Sequence, residues 1–371
     1  MKILVASDKF KGSLTAAEAC SCIAAGLREG LNGSGLEIRE LPVADGGDGM
    51  ARTLTSASGG SWIESSVTGP SGDKVLAGYG LIDGGKTAVI EMAEASGLAL
   101  LGTRARDPLR ASTYGTGELI LQALSAGASE ILLGIGGSAT NDGGTGMALA
   151  LGYRFLDAGG KELRELPMGL ETLARIIPPD DFPYPKVTVA CDVTNPLLGP
   201  EGCTAIYGPQ KGVTPDTFPK HEERLSRLVS LSGEAGESAA IVPGAGAAGG
   251  LGFGAILFLK ARLVNGFDLV ADRLGLEEAI SWADLVITGE GRLDHQSLEG
   301  KAPFGVVRLA RKKGKQTAAF CGSLADRSLE SEFGPISEIR DPDLKLEENM
   351  ARGPELIRAA ARRFASTLDS R

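Results

Sequence analysis

The segment Ile131-Leu-Leu-Gly-Ile-Gly-Gly-Ser-Ala-Thr-Asn-Asp-Gly-Gly-Thr-Gly-Met147 is an apolar run that empties into glycine and leads to a second apolar run ending at Leu151. A short apolar run bounded by glycine suits a buried strand, so the segment reads as strand, loop and helix. Gly134, Gly136, Gly137, Gly143 and Gly144 surround Ser138, Thr140, Asn141 and Asp142, so backbone amides can approach a ligand beside short polar side chains. This predicts an anion bed, with phosphate as its occupant, that delivers the anion to the N-terminus of the helix opened by Gly144-Thr145-Gly146. A tight turn without a ligand is the plainer alternative. Gly134 to Ala139 also fits the relaxed dinucleotide fingerprint, with Asp157 near the spacing of a ribose partner. That match is weak, because the polar insert before the helix would crowd the close approach the fingerprint needs.

Working outward, Lys2 to Ala6 reads as a buried strand, and Thr15-Ala-Ala-Glu18 is a capping box that opens a helix with Cys20, Ile23, Ala24, Leu27 and Leu31 on one face. Between them, Lys9, Lys11 and Ser13 occupy a loop at a strand's carboxyl end, where open α/β sheets hold ligands. Glu37 to Val43 predicts a second strand and ends at Asp45-Gly-Gly-Asp48, two carboxylates on a glycine hinge that can serve Mg²⁺ or a substrate hydroxyl. Gly59-Gly60 marks a change of character, after which Trp62 to Glu91 reads as short strands. Asp157 to Pro185, rich in proline and acids, reads as a surface excursion. The strand Lys186 to Ala190 ends in Cys191-Asp192, and an aspartate leaving a buried strand is costly unless bonded, which singles out Asp192 for acid/base or metal work. Lys211 sits in a glycine-flanked turn suited to a nucleotide phosphate. Gly244 to Gly249 satisfies GxGxxG by letter, but close packing of one glycine loop on another explains it better. Further strands are expected at Asp284 to Thr288, followed by Glu290 and Asp294, and at Gln316 to Phe320. A closing helix spans Pro354 to Leu368.

The 371 residues suit two α/β domains, one doubly wound and Rossmann- or flavodoxin-like from both chain ends (1–60 and 275–371), the other mixed and inserted between them (61–274). With a formal charge of −9 there is no general attraction to nucleic acid, so any phosphate site is built locally. Five scattered cysteines without a CxxC pair, and no leader-like N-terminus, point to the reducing cytoplasm. Ser238 to Leu259 is uncharged, but Pro243 and six glycines mark a buried loop and short helix rather than a membrane span.

Taken together, Val5 to Ser13, Ala44 to Gly49, Gly134 to Gly143, Cys191 to Leu197, Gly208 to Gly212 and Thr288 to Asp294, with Gln296-Ser297 and Gly300-Lys301, resemble the type 1 glycerate kinases. The resemblance implies two α/β domains facing across a cleft and an ATP- and Mg²⁺-dependent kinase of D-glycerate, with 2-phosphoglycerate the favoured product and 3-phosphoglycerate an alternative. It leaves a homo-oligomer open. Within it Gly136, Gly137, Ser138, Thr140, Asn141 and Lys211 are expected to hold the nucleotide, and Asp192, Asp45 and Lys9 to act in catalysis. Lys11, Ser13, Asp48, Asn195 and Arg292 are expected at the substrate, and Asp192, Glu290 and Asp294 at the metal. The alternative from another class is a nicotinamide-dependent oxidoreductase of a small hydroxy acid, using the 134–139 fingerprint.

Overall fold

The computed structural model describes residues 1–31, 35–298 and 300–368. The chain forms two compact units, Met1–Asp45 with Phe267–Arg371, and Gly46–Gly266. These divisions fall earlier than residues 60 and 274 for packing reasons. The helix Met50–Ala57 stays with the second unit, since its Thr55 hydroxyl occupies the space a side chain at Gly80 would need. Phe267 and Ala271 instead share a core with Leu4, Ala6 and Val286 of the first.

In the first unit five parallel strands follow the order Ile336–Glu338, Gln316–Leu324, Leu285–Leu293, Lys2–Val5, Glu37–Glu40. Strand periodicity sends Ile3 and Val5 to one face, against the helices Ala16–Gly30 and Gly353–Leu368, and Leu4 to the other, against Ile280 and Val306. Both faces are therefore covered, as a purely parallel sheet requires. The Thr15–Glu18 capping box forms as read: the Glu18 amide donates to the Thr15 hydroxyl at 3.2 Å, and the Thr15 amide to the Glu18 carboxylate at 2.8 Å. Gly26 and Gly30 let the first helix press onto the last one, where an added Cβ would collide with Ala361 and Ala365. The strand order reverses between Lys2–Val5 and Leu285–Leu293, and the crevice at the carboxyl ends of strands at such a reversal is where open α/β sheets bind ligands.

The second unit carries a mixed six-stranded sheet in the order Arg262–Val264, Lys186–Ala190, Glu130–Gly134, Thr87–Glu91, Lys74–Ile82, Ser61–Thr68. The first four strands are parallel and the last two antiparallel. The stretch read as a surface excursion is more than that. Arg154–Asp157 and Leu173–Ile177 pair as an antiparallel ribbon, and Leu170 and Leu173 are fully buried in the core. Charged and proline neighbours mask those leucines in the sequence. Within the uncharged stretch, Ala247–Leu259 starts with a left-handed kink at Ala248, Gly249 and Gly250 and continues as a helix buried nearly all round, as its apolarity on every side demands. Among the described residues no helix is long and apolar enough to cross a membrane.

Candidate active site

In the second unit the loop after Glu130–Gly134, the loop after Lys186–Ala190 and the helix Cys203–Lys211 border a cavity of about 360 Å³. Gly136, Gly137, Ser138, Asp192, Tyr207 and Lys211 are among its lining residues. Gly137 has φ +73°, a conformation that favours glycine, and the amides of Gly136, Gly137 and Ser138 donate to no other group among the described residues. Lys211 is buried, and its ammonium donates to the Ser138 hydroxyl and the Thr140 carbonyl, both at 2.7 Å. No carboxylate pairs with it among the described residues, and burial pulls its pKa down to about 8. Its third N–H has no partner there. A buried cation and unbonded amides on residues that line one cavity call for an anion.

The same loop shows where a ligand cannot go. Asp142 is fully buried and accepts from the Thr113 amide (2.8 Å), the Thr113 hydroxyl (2.7 Å), and the amides of Gly144 (2.9 Å) and Gly146 (3.2 Å). The Met147 amide donates to the Thr113 hydroxyl at 2.8 Å. The N-terminus of the helix Thr145–Ala150 is thus already filled by the chain's own carboxylate and hydroxyl, which corrects the expectation that it receives the phosphate. Asn141 turns inward, bonding to Thr204 at 3.2 Å and lying 3.2 Å from His221 Nδ1. Thr140 reaches the Ala248 carbonyl at 3.4 Å. Neither side chain lines the cavity. The second glycine run packs on this loop as read: a Cβ at Gly249 would strike the Thr140 carbonyl, and Gly143 donates to the Gly249 carbonyl at 3.0 Å.

In the first unit the strand reversal gathers carboxylates. The Asp8 amide donates to the Gly289 carbonyl at 2.9 Å, registering the loop after Lys2–Val5 against the strand that carries Glu290. Asp8 and Glu290 are buried, and Asp45 and Asp294 half-buried. Burial, with the charges of Asp45 and Glu290, pushes the Asp8 pKa up to about 7 against the opposing pull of Lys9. Burial also raises that of Glu290, despite Ser297 and Lys301, and Asp294 adds to the rise. Glu290 Oε1 and Asp294 Oδ1 are buried with no hydrogen-bond partner among the described residues. Among those residues, too, no three His, Cys, Asp or Glu converge as a closed metal site. Two carboxylates with orphaned oxygens nevertheless fit Mg²⁺, which is bound through one or two carboxylates with water and substrate phosphate completing the shell.

A family model for the glycerate kinase family matches residues 3–369. The chain belongs to the glycerate kinase family. It is 43% identical to a glycerate kinase of Halalkalibacterium halodurans, over 98% of this chain and 97% of that one. It is likewise 43% identical to a glycerate 2-kinase of Escherichia coli, over 99% and 98%. A crystal structure from Salmonella typhimurium, described as a candidate glycerate kinase 2, superposes with a TM-score of 0.91 at 40% identity, covering 100% of this chain and 98% of its own.

In this member of the glycerate kinase family the oxidoreductase alternative also lacks its geometry. Gly136 to Ala139 does not open a helix: the Ala139 amide pairs with the Ser96 carbonyl at 3.0 Å, and Asp157 caps its own turn through the amides of Gly159 and Lys161, both at 2.9 Å. Of the other expected residues, Asp192 is exposed at the cavity and its Oδ1 accepts from Asn265 and the Gly266 amide, both at 2.8 Å. Asn195 spans its own loop, donating to the Glu201 carbonyl at 2.9 Å and accepting from Tyr207 at 2.6 Å. The Ser13 hydroxyl donates to the Met350 carbonyl at 2.6 Å, so it orders the basic loop. Lys9 is half-buried, and Lys11, Asp48 and Arg292 are exposed, Arg292 lying 3.4 Å from Asp294. Asp45 belongs to the first unit and Asp48 to the second. Two residues escaped the sequence reading. Asp8 leaves a buried strand just as Asp192 does. Glu91 ends the strand Thr87–Glu91 and holds the cavity-side turn by accepting from Gly49 (2.7 Å) and Ala51 (3.1 Å).

Proposed function

We propose that the chain transfers the terminal phosphoryl group of ATP to the 2-hydroxyl of D-glycerate with Mg²⁺. Membership of the glycerate kinase family supports the reaction class, and the E. coli relative's name favours the 2-position. The observation that carries the nucleotide's place is the buried Lys211 ammonium beside open amides, with no carboxylate in direct contact with it among the described residues and only Asp142 acting at a distance. Phosphoryl transfer needs charge neutralisation and positioning more than covalent help, and Gly136, Gly137, Ser138 and Lys211 offer both to a phosphate chain.

Lys9 and Lys11 then bind the glycerate carboxylate, in the loop ordered by Ser13. Glu290 and Asp294 would hold Mg²⁺ through their unpartnered oxygens, and the ion would supply charge neutralisation when bound. Asp192 steadies the cavity rim through Asn265 and Gly266 and brings an acidic side chain to the cavity lining. The five free cysteines are compatible with work in a reducing cytoplasm.

Coupled detection of ADP across a panel of small hydroxy acids tests the reading. ADP release that requires both D-glycerate and Mg²⁺, with 2-phosphoglycerate as product, is expected. Release without any hydroxy acid, or with an acid other than glycerate preferred at least tenfold, overturns it.

A further inference from the structure

Asp8 stands where the strand order reverses, on the first loop of the parallel sheet and in register with Gly289 of the neighbouring strand. Only 5% of the residue is exposed. Its Oδ1 accepts the Lys9 amide at 2.6 Å, and the Lys9 ammonium lies 3.9 Å from the same oxygen. Oδ2 accepts from no donor among the described residues. Deep as the residue is, Oδ2 keeps access to solvent, so a ligand's donor can reach it. The loop is too well fixed for Asp8 to swing out: Phe10 and Leu14 exchange amide–carbonyl bonds at 2.9 Å each, with both side chains buried.

We propose that Asp8 Oδ2 takes the proton of the glycerate hydroxyl during phosphoryl transfer, an assignment that rests on the glycerate kinase reading above. The hydroxyl oxygen forms a bond to the terminal phosphorus, and the bond from that phosphorus to the bridging oxygen breaks. The nucleoside diphosphate leaves with the electron pair, and the hydroxyl proton passes to Asp8. Nothing is oxidised or reduced. The geometry around Asp8 suits it to this role, since the Lys9 amide and ammonium both address Oδ1 and the bond to Gly289 fixes the loop, leaving Oδ2 for the hydroxyl. Lys9 and Lys11, on the same loop, are placed to bring the glycerate carboxylate to it.

The test compares Asp8→Asn with the parent in the full chain, by steady-state ADP release with D-glycerate and by melting temperature. Asparagine keeps an acceptor for the Lys9 amide and nearly the same shape, so it removes the base and little else. Turnover is expected to fall at least about a hundredfold. KM for glycerate should stay the same or drop, since a negative charge beside its carboxylate is gone. Asp8→Glu, which keeps a carboxylate slightly out of place, should recover part of the turnover. If the asparagine variant melts early, Asp8→Ser is the second base-free form and the same loss is expected. A base-free variant that keeps more than about a tenth of parental turnover overturns the assignment. So does one whose turnover returns at tenfold higher Mg²⁺, because that would make Asp8 a metal ligand. A parent that releases no ADP with glycerate overturns the functional reading, and the assignment with it.

Discussion

At the strand reversal of the parallel sheet, Asp8, Glu290 and Asp294 present acceptor oxygens that no donor among the described residues fills, whereas the cavity of the second unit is lined by a buried ammonium with one N–H unbonded and by residues whose amides no acceptor there fills. One region has surplus acceptors and the other surplus donors. Each lacks what a phosphoryl transfer brings: a cation and a hydroxyl proton for the carboxylates, a phosphate chain for the lysine and amides. Asp142 shows what a saturated charge looks like in the same fold, since it accepts from four donors and acts on Lys211 only at a distance. The lesson is to rank buried charges by unused bonding capacity rather than by burial alone.

The most severe way to break this contrast is Lys211→Met. If the ammonium is there for phosphate, kcat/KM for ATP falls about 10³-fold, worth ~4 kcal/mol. The ligand-free protein melts at the same or a higher temperature, because a buried cation with no carboxylate in direct contact is itself a cost. A variant with ordinary kcat/KM, or one that melts much earlier, would make Lys211 a structural residue like Asp142. On the acidic side, Glu290→Gln should raise the Mg²⁺ needed for half-maximal activity by about 10–100-fold. Nucleotide affinity measured without metal should not change, and an unchanged Mg²⁺ requirement would take Glu290 out of the metal site.

The gentlest test is pH. Lys211 attracts phosphate only when charged, and its pKa in the free protein is about 8. It is mostly protonated at pH 7 and mostly neutral at pH 9, so ATP affinity in a binding titration should fall about tenfold between the two. Lys211→Met should show no such slope. An equal slope in both proteins would move the titrating group elsewhere.

Much of this arrangement is legible from residues alone, and the reasons for the remainder are physical. The capping box at Thr15, the buried strands at Lys2, Lys186 and Gln316 and the apolar face of the last helix follow from local periodicity, which tertiary packing here reinforces. The glycine loop also declares itself. What spacing does not encode is which way each of its short polar side chains turns: Ser138 lies at the cavity, while Thr140, Asn141 and Asp142 are spent inside. Asp8 escaped notice because its basic neighbours drew the reading toward anion binding. The reasoning applied to Asp192, an acid leaving a buried strand, applies to it equally. The Leu173–Ile177 strand was hidden because a pairing partner a loop away leaves no periodic trace in a stretch of acids and prolines.

The contact of Gly26 and Gly30 with the final helix has a consequence for how the polypeptide leaves the ribosome. Residues 46–266 are continuous and can collapse as soon as they emerge. The opening strand and helix must wait, through the synthesis of that whole insert, for Leu285–Leu293 and the C-terminal helix to arrive. A nascent chain from which residue 266 has just emerged therefore carries the whole insert and an apolar N-terminal segment still in search of its partners, which is the form that chaperones would be expected to shield.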